Sequence, residues 1–370
     1  MSKTGKEKFL IVDNSVAYTG AFHCALQQAK ILQDEFDFIF VLPAGSAVKP
    51  VAEEQGICCY ELPFLEISKS FNALFYYFGS LNKNAKRLQA IIEKEKAQFL
   101  QVNDFYNLIG ARLKKRGYSG KLITYVRLLP SARPKILSNW WISQAVKFSD
   151  HVVCVSDAVR REMPDAKNIV RIYDAVDYPE MNCQKTSEPH TVNLLYLANY
   201  IPGKGQEYAL EAFHLAYKKN ERLRLHFYGG DMGLEKNRQY RKHLEKKANE
   251  LGLSKVVQFF GFTTKTAEVI CAADIVLNFS DAESFSMTCA EAAYYGRPVI
   301  ATRCGGPEEI IENGKTGLLV NKGNIEQMAD AILQLTAETR NYKVMGREAA
   351  KYVREKFSVE NFIKQFLSLV

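Results

Sequence analysis

Short apolar runs and helical stretches alternate along almost all of this 370-residue chain, and the alternation breaks only once. Lys8–Asp13, Phe38–Leu42, Gly56–Glu61, Phe99–Val102, Lys121–Val126, Val152–Ser156 and Asn168–Tyr173 read as strands. Runs this short and apolar suit strands covered on both faces, as in a parallel sheet. Helical stretches separate them: Gly20 towards Gln33, around Val51, Phe71–Lys94 with a possible break near Gly79, Asn103–Lys115, Ile136–Lys147 and Asp157–Glu162. Regular alternation of this kind implies a doubly wound sheet. Residues 178–191 (YPEMNCQKTSEPHT) are polar, hold two prolines and show no period, which marks a linker. The pattern restarts at Val192–Ala198 and continues through Leu223–Tyr228, Val256–Phe260, Ile275–Phe279 and Pro298–Ala301. The length also suits two domains. The expected fold is therefore α/β, with two Rossmann-like doubly wound parallel-sheet domains over 1–180 and 190–356, and an amphipathic helix over 357–370.

Several classes are disfavoured. The N-terminal apolar run, Phe9–Val12, is too short for a secretory leader, and no run reaches the length of a membrane span, so a cytoplasmic chain is expected. The eight cysteines form no C-x-x-C pair and the six histidines are scattered, so reduced thiols and no metal site are expected. The first strand is not followed by Gly-x-Gly-x-x-Gly, which disfavours a dinucleotide-binding dehydrogenase. The net charge of +8 is unevenly placed: residues 101–150 hold 9 basic and 2 acidic side chains, a local +7. That bias is either a solvated surface or a face attracted to anionic lipid or a phosphate-bearing acceptor. The aromatic and basic stretch 71–87 (FNALFYYFGSLNKNAKR) fits either a helix packed on the sheet or one lying at a membrane surface. No standard nucleic-acid motif is present.

The richest stretch is Asp274–Val320. After the strand Ile275–Phe279 comes a polar loop, Ser280–Ser284, then a helix from about Ser286 to Tyr295 that stops at Gly296 and Pro298. Glu283 stands at the mouth of that helix and Glu291 eight positions later, a little over two turns on, so that both fall on one face. The N–H groups of Phe285, Ser286, Met287 and Thr288 open the helix, and such a terminus binds phosphate well. Two readings follow: a helix cap and a solvated glutamate, or a phosphate cradle beside two hydroxyl-accepting carboxylates, which suits a nucleotide sugar.

The ordered set Glu283-x7-Glu291, then Ala-x-x-x-Gly-x-Pro-Val-Ile-Ala-Thr, Gly-Gly-x-x-Glu-Ile-Ile and Asn-Gly-x-x-Gly-Leu-Leu-Val, resembles the donor-site signature of family 4 retaining glycosyltransferases of the GT-B fold. The resemblance is strong over 192–320 and weak in the first half. It implies two domains facing across a cleft, with the last helix crossing back to the N-terminal domain. It implies transfer of a hexose-type sugar from a nucleoside-diphosphate sugar to a glycan or lipid-linked acceptor in surface-polysaccharide synthesis. No cofactor or metal is implied, and the chain would be cytoplasmic or peripheral on the inner membrane face. Lys204 would balance the diphosphate charge, Glu283 would accept from the donor sugar, and Glu291 from the ribose. Asn199 stands where the family usually has Arg. Gly229 and Phe262 fall in loops that face the donor, while Gly20 and Arg127 fall on the acceptor side. Arg127, where many relatives carry a His, is either an acceptor contact or a structural guanidinium. These departures keep a second reading open, a catalytically lapsed GT-B protein that serves as a binding module or subunit.

Overall fold

A computed structural model describes residues 5–64, 71–183 and 191–370, apart from the side chains of residues 71–76 and 339–341. The chain divides into two compact units, Met1–Ala175 with Val359–Val370, and Val176–Ser358. Of the expected linker, residues 184–190 lie outside the described residues. Residues Tyr178 and Pro179 are held inside the second unit, where the Tyr294 and Tyr295 hydroxyls donate to their carbonyls at 2.8 and 3.1 Å.

The first unit is built on a seven-stranded parallel sheet: β1 (Glu7–Val12), β2 (Phe36–Pro43), β3 (Cys58–Leu62), β4 (Phe99–Asn103), β5 (Lys121–Val126), β6 (His151–Cys154) and β7 (Ile169–Arg171). Its order is β3-β2-β1-β4-β5-β6-β7, so the winding reverses between β1 and β4. Phe9, Phe36, Phe38 and Phe99 pack together at one end of this sheet with ring centroids 5.2–6.0 Å apart. The terminal helix Val359–Leu367 completes the cluster: Phe366 is fully buried, 5.7 Å from Phe9. The helix Phe71–Glu95 runs unbroken through Gly79. A glycine costs a helix interior about 1 kcal/mol. The buried row Ala85, Leu88 and Ile92, packed on the sheet, outweighs that cost.

The second unit has a six-stranded parallel sheet: β8 (Val192–Leu197), β9 (Leu223–Tyr228), β10 (Val257–Phe260), β11 (Ile275–Asn278), β12 (Val299–Thr302) and β13 (Gly317–Val320). The order β10-β9-β8-β11-β12-β13 reverses between β8 and β11. In such sheets ligands bind beyond the carboxyl ends of the strands at the reversal. The helix Thr266–Ala272, which the sequence pattern did not reveal, precedes β11.

The expectation of reduced thiols fails at one pair. Cys183 and Cys271, 88 residues apart, are joined as a disulfide with their Cα atoms 4.7 Å apart. No local spacing announces the pair, because the fold itself brings residue 183 against the helix Thr266–Ala272. Arg297 donates to the carbonyls of both cysteines. No helix among the described residues is long and apolar enough to cross a membrane.

Candidate active site

The reversal between β8 and β11 brings two loops together, Ala198–Gly205 and Phe279–Ser286. Gly205 has φ +76°, and a Cβ there would stand 2.0 Å from the Phe279 carbonyl oxygen. Only glycine lets the two loops approach this closely. The Tyr196 hydroxyl ties the same loops, donating to the Lys204 carbonyl and accepting from the Phe279 N–H at 2.8 Å. Lys204 is thereby held over the exit of β11. Its Nζ donates to Glu283 Oε1 at 2.9 Å, and Ser280 Oγ donates to the same oxygen at 2.8 Å.

Glu283 is fixed through its backbone as well. Its N–H donates to Cys304 at 3.0 Å, and its carbonyl accepts from the Gly306 N–H at 2.8 Å. A Cβ on Gly306 would lie 2.3 Å from the Phe285 backbone, so that crossing also demands glycine. The side chains of Lys204 and Glu283 keep 33% and 14% of their exposure. Burial pulls the Lys204 pKa down, but the adjacent Glu283 carboxylate more than offsets this, and the net shift is upward. Lys204 therefore stays charged.

The helix Met287–Tyr294 begins at Ser286, a non-glycine residue at φ +78°. No side chain caps this start. The first N–H groups of a helix lack intrahelical partners. Ser286 is held in this left-handed turn by Asn278, whose Nδ2 donates to its hydroxyl at 3.0 Å. Phe285 is buried with its ring 5.1 Å from Phe357. Met287 and Thr288 are partly exposed.

Glu291, one helical turn from the end, is 8% exposed and accepts from the Thr266 hydroxyl. Burial pushes its carboxyl up to about 7, with the Thr266 hydrogen bond acting the other way. Neither Thr266 nor Ser280 was legible as a partner. Ser280 lies three residues before Glu283 but owes its contact to the loop shape, and Thr266 lies on a helix 25 residues away.

A second cluster forms at the ends of β8, β9 and β10. Asn199 Oδ1 accepts from the Gly230 N–H at 3.0 Å, and its carbonyl accepts from Gln206 Nε2 at 2.9 Å. Gly229 allows the Ala198 carbonyl to approach to where a Cβ would be 2.0 Å away. A Cβ on Gly230 would lie 3.3 Å from both Asn199 Oδ1 and Phe262 Cβ. Asn199, Gly229 and Phe262 are thus neighbours, and the Phe262 ring is 52% exposed. Asn199 pins one loop to the next and brings no charge.

The two residues expected on the acceptor side lie in the first unit. Gly20 opens the helix Gly20–Ile31, capped by Thr19, and a Cβ there would meet nothing within 4 Å. Arg127 is buried. Its Nη1 donates to both carboxylate oxygens of Asp174 at 2.7 and 2.8 Å, its Nε donates to Asn103 Oδ1, and its guanidinium lies 4.5 Å from the Tyr125 ring centroid. Arg127 thus carries a buried ion pair with Asp174 inside the first unit. Among the described residues, no group of three or more His, Cys, Asp or Glu is placed to hold a metal ion.

Residues 182–352 match the family of glycosyl transferases group 1. Those residues are similar to a group 1 glycosyl transferase domain. The N-acetyl-alpha-D-glucosaminyl L-malate synthase of Bacillus anthracis is 36% identical over 110 residues, 30% of this chain and 29% of that protein. The poly(ribitol-phosphate) alpha-N-acetylglucosaminyltransferase of Staphylococcus aureus is 25% identical over 220 residues, 59% of this chain and 43% of that protein. The matched stretches thus span less than half the length of either relative. The crystal structure of Anabaena HepE in complex with UDP and glucose superposes with a TM-score of 0.83 at 22% identity, covering 98% of both chains. The two sheets therefore share the GT-B architecture. Lys204, Glu283 and Glu291 all lie within the matched residues.

Proposed function

We propose that the chain is a retaining glycosyltransferase that moves a hexose-type sugar from a nucleoside-diphosphate sugar to a glycan or lipid-linked glycan acceptor in cell-surface polysaccharide synthesis. The observation that carries this reading is the Lys204–Glu283 pair, at the sheet reversal and beside an uncapped helix start. A permanently charged ammonium next to open N–H groups matches a diphosphate, and it stabilises the negative charge that develops as the diphosphate departs. Glu283 accepts from hydroxyls of the donor sugar. With a donor bound, Lys204 turns from Glu283 towards phosphate, an exchange of one anionic partner for another. Glu291 exchanges its Thr266 hydrogen bond for a ribose hydroxyl. The exposed Phe262 ring beside Gly230 offers an apolar face to the base.

Retention follows when the acceptor hydroxyl attacks the anomeric carbon from the side the diphosphate leaves, its proton passing to a departing phosphate oxygen. Lys204 and the helix start supply the positive charge, so turnover is expected to survive removal of divalent metal by chelation. We place the protein in the cytoplasm, where nucleotide sugars are available. HepE holds UDP and glucose, and the Staphylococcus aureus relative is named for N-acetylglucosamine transfer, so UDP-glucose and UDP-N-acetylglucosamine are the first donors to try.

The test is a thermal-shift series with UDP-, GDP-, ADP- and CMP-sugars. A specific donor present at 100 times its Kd stabilises the fold by about 2.7 kcal/mol. The anomeric configuration of any product is then read by proton NMR. Stabilisation by a nucleotide sugar without turnover on any glycan would favour the lapsed, binding-only reading, to which the uncharged Asn199 lends weight. No stabilisation by any nucleotide sugar sinks both.

A further inference from the structure

The helix Thr266–Ala272 depends on its neighbours for order. It makes about two turns, no side chain caps its start, and a helix this short is unstable by itself in water. Three ties hold it in the second unit: Ile270 is fully buried, the Thr266 hydroxyl donates to Glu291, and Cys271 is bonded to Cys183. The loop 261–265, which carries the exposed Phe262 ring, runs from β10 directly into this helix. Whatever fixes the helix therefore fixes one end of that loop.

The other cysteine ends a strap. Residues 178–180 are bound by the carbonyl contacts from Tyr294 and Tyr295, and Arg354 Nη1 donates to Glu180 Oε1 at 2.6 Å. The Tyr178 ring also meets the Tyr294 ring edge-on at 5.4 Å. Arg297 then holds both cysteines without using sulfur, since its Nη2 donates to the Cys183 carbonyl at 3.0 Å and to the Cys271 carbonyl. That bridge does not depend on the S–S bond, so the two thiols stay neighbours when the bond opens, and closing it needs no search. Arg297 Nε is buried and makes no hydrogen bond among the described residues, so this cation keeps a donor for a thiolate. The two sulfurs differ in access: Cys183 is half-buried, whereas Cys271 is buried.

We propose that Cys183–Cys271 is a reversible redox site, opened by a thiol such as glutathione, and that opening it loosens the helix Thr266–Ala272 and the loop that carries Phe262. A thiolate of the reductant attacks Cys183 Sγ, displaces Cys271 as a thiolate and leaves a mixed disulfide. A second reductant thiolate then displaces Cys183. The bond takes up two electrons, each cysteine ends with one proton, and the two reductant thiols leave joined as their own disulfide. A permanent staple belongs to an oxidising compartment; in a reducing one, a disulfide is transient or redox-sensing. The consequence for the donor rests on the transferase reading: when a donor takes Glu291 from Thr266, the helix gives up that tie and the disulfide holds the Phe262 loop in place. The redox site itself stands without that reading.

The full chain is equilibrated in reduced and in oxidised glutathione with no sugar nucleotide present. Thiols at 183 and 271 are labelled and read by mass spectrometry, and hydrogen exchange is followed in both states. The bond should open in reduced glutathione while the chain stays folded, and re-form in the oxidised buffer. Exchange at residues 269–273 should quicken about tenfold or more on opening, with β11 unchanged. Cys183→Ser should exchange like the reduced parent in both buffers. Arg297→Met should re-form the bond about tenfold more slowly, because the thiols lose their enforced proximity. Affinity for UDP-glucose, titrated separately, should fall about fivefold on reduction of the parent and stay the same in both buffers for Cys183→Ser. The proposal is overturned if the bond stays closed in reduced glutathione, if exchange is identical in the two states, or if Cys183→Ser still responds to the buffer. Equal UDP-glucose affinity in both states overturns the link to the Phe262 loop. An intact redox response with no nucleotide sugar bound in either state supports the redox site and counts against the transferase reading alone.

Discussion

Glu291 sets stability against function. Its carboxyl is raised from an ordinary 4.5 to about 7 because burial disfavours the charge. The folded chain therefore takes up a proton that the unfolded chain lacks between these values, and stability falls as pH rises through that window. Donor binding runs the other way, since a ribose hydroxyl needs the carboxylate as acceptor. Glu291→Gln should thus raise stability at pH 8 by about 2–3 kcal/mol, while weakening the donor and flattening the rise in its affinity through pH 7. Chemical denaturation at pH 5 and 8, beside donor titrations at both, checks this; a variant less stable at pH 8 contradicts it. Gly205→Ala should cost about 2 kcal/mol or more, because φ +76° and the Phe279 carbonyl both oppose a Cβ. An unchanged melting temperature would mean the loops are not so tightly joined. The sequence made Glu283, Glu291 and Lys204 legible through residue type and order. It left Arg127 ambiguous, since a buried Arg–Asp pair and an exposed phosphate contact use the same residue, and Asp174 is 47 positions away.

At the scale of elements, the helix start at Ser286 is the unusual piece. A non-glycine residue in the left-handed region costs about 1–2 kcal/mol. Ser286→Gly removes that cost but also removes the acceptor for the buried Asn278 amide, worth about 1 kcal/mol. The two effects nearly cancel, so stability should shift by no more than about 1 kcal/mol in either direction. Donor affinity should fall as the loop loses its fixed shape, which isothermal titration of the donor would measure. Unchanged affinity would separate the Ser286 turn from donor binding. Strands were legible because short apolar runs between turn residues leave little else to be, and β1, β2, β8 and β11 fall within a few residues of their expected places. The helix Thr266–Ala272 was not, because seven residues give too few turns to show a period. Strand order was also beyond a linear reading, although it is the reversal at β8 and β11 that puts Lys204 beside Glu283.

Across the whole molecule, the C-terminal residues Val359–Val370 belong with the first sheet although the chain has by then built the second. Phe366 fills the aromatic cluster around Phe9, and Lys121 Nζ donates to the Leu369 carbonyl at 2.7 Å. Phe366→Ala should cost about 3–5 kcal/mol and loosen the first unit before the second, seen as earlier hydrogen exchange in β1 and β2. Uniform loss of protection would contradict that division. Two α/β units were foreseeable from one break in an otherwise regular alternation, whereas the Cys183–Cys271 pair rests on tertiary approach with no local signature. The measurement that bears most directly on the central claim is steady-state turnover of the best nucleotide sugar by Lys204→Ala and Glu283→Gln, each shown folded by its melting curve. Each substitution should lower kcat/KM by about 10²-fold or more, with the loss for Lys204→Ala extending to binding of the free nucleoside diphosphate. Turnover and nucleotide binding unchanged in both variants would contradict it.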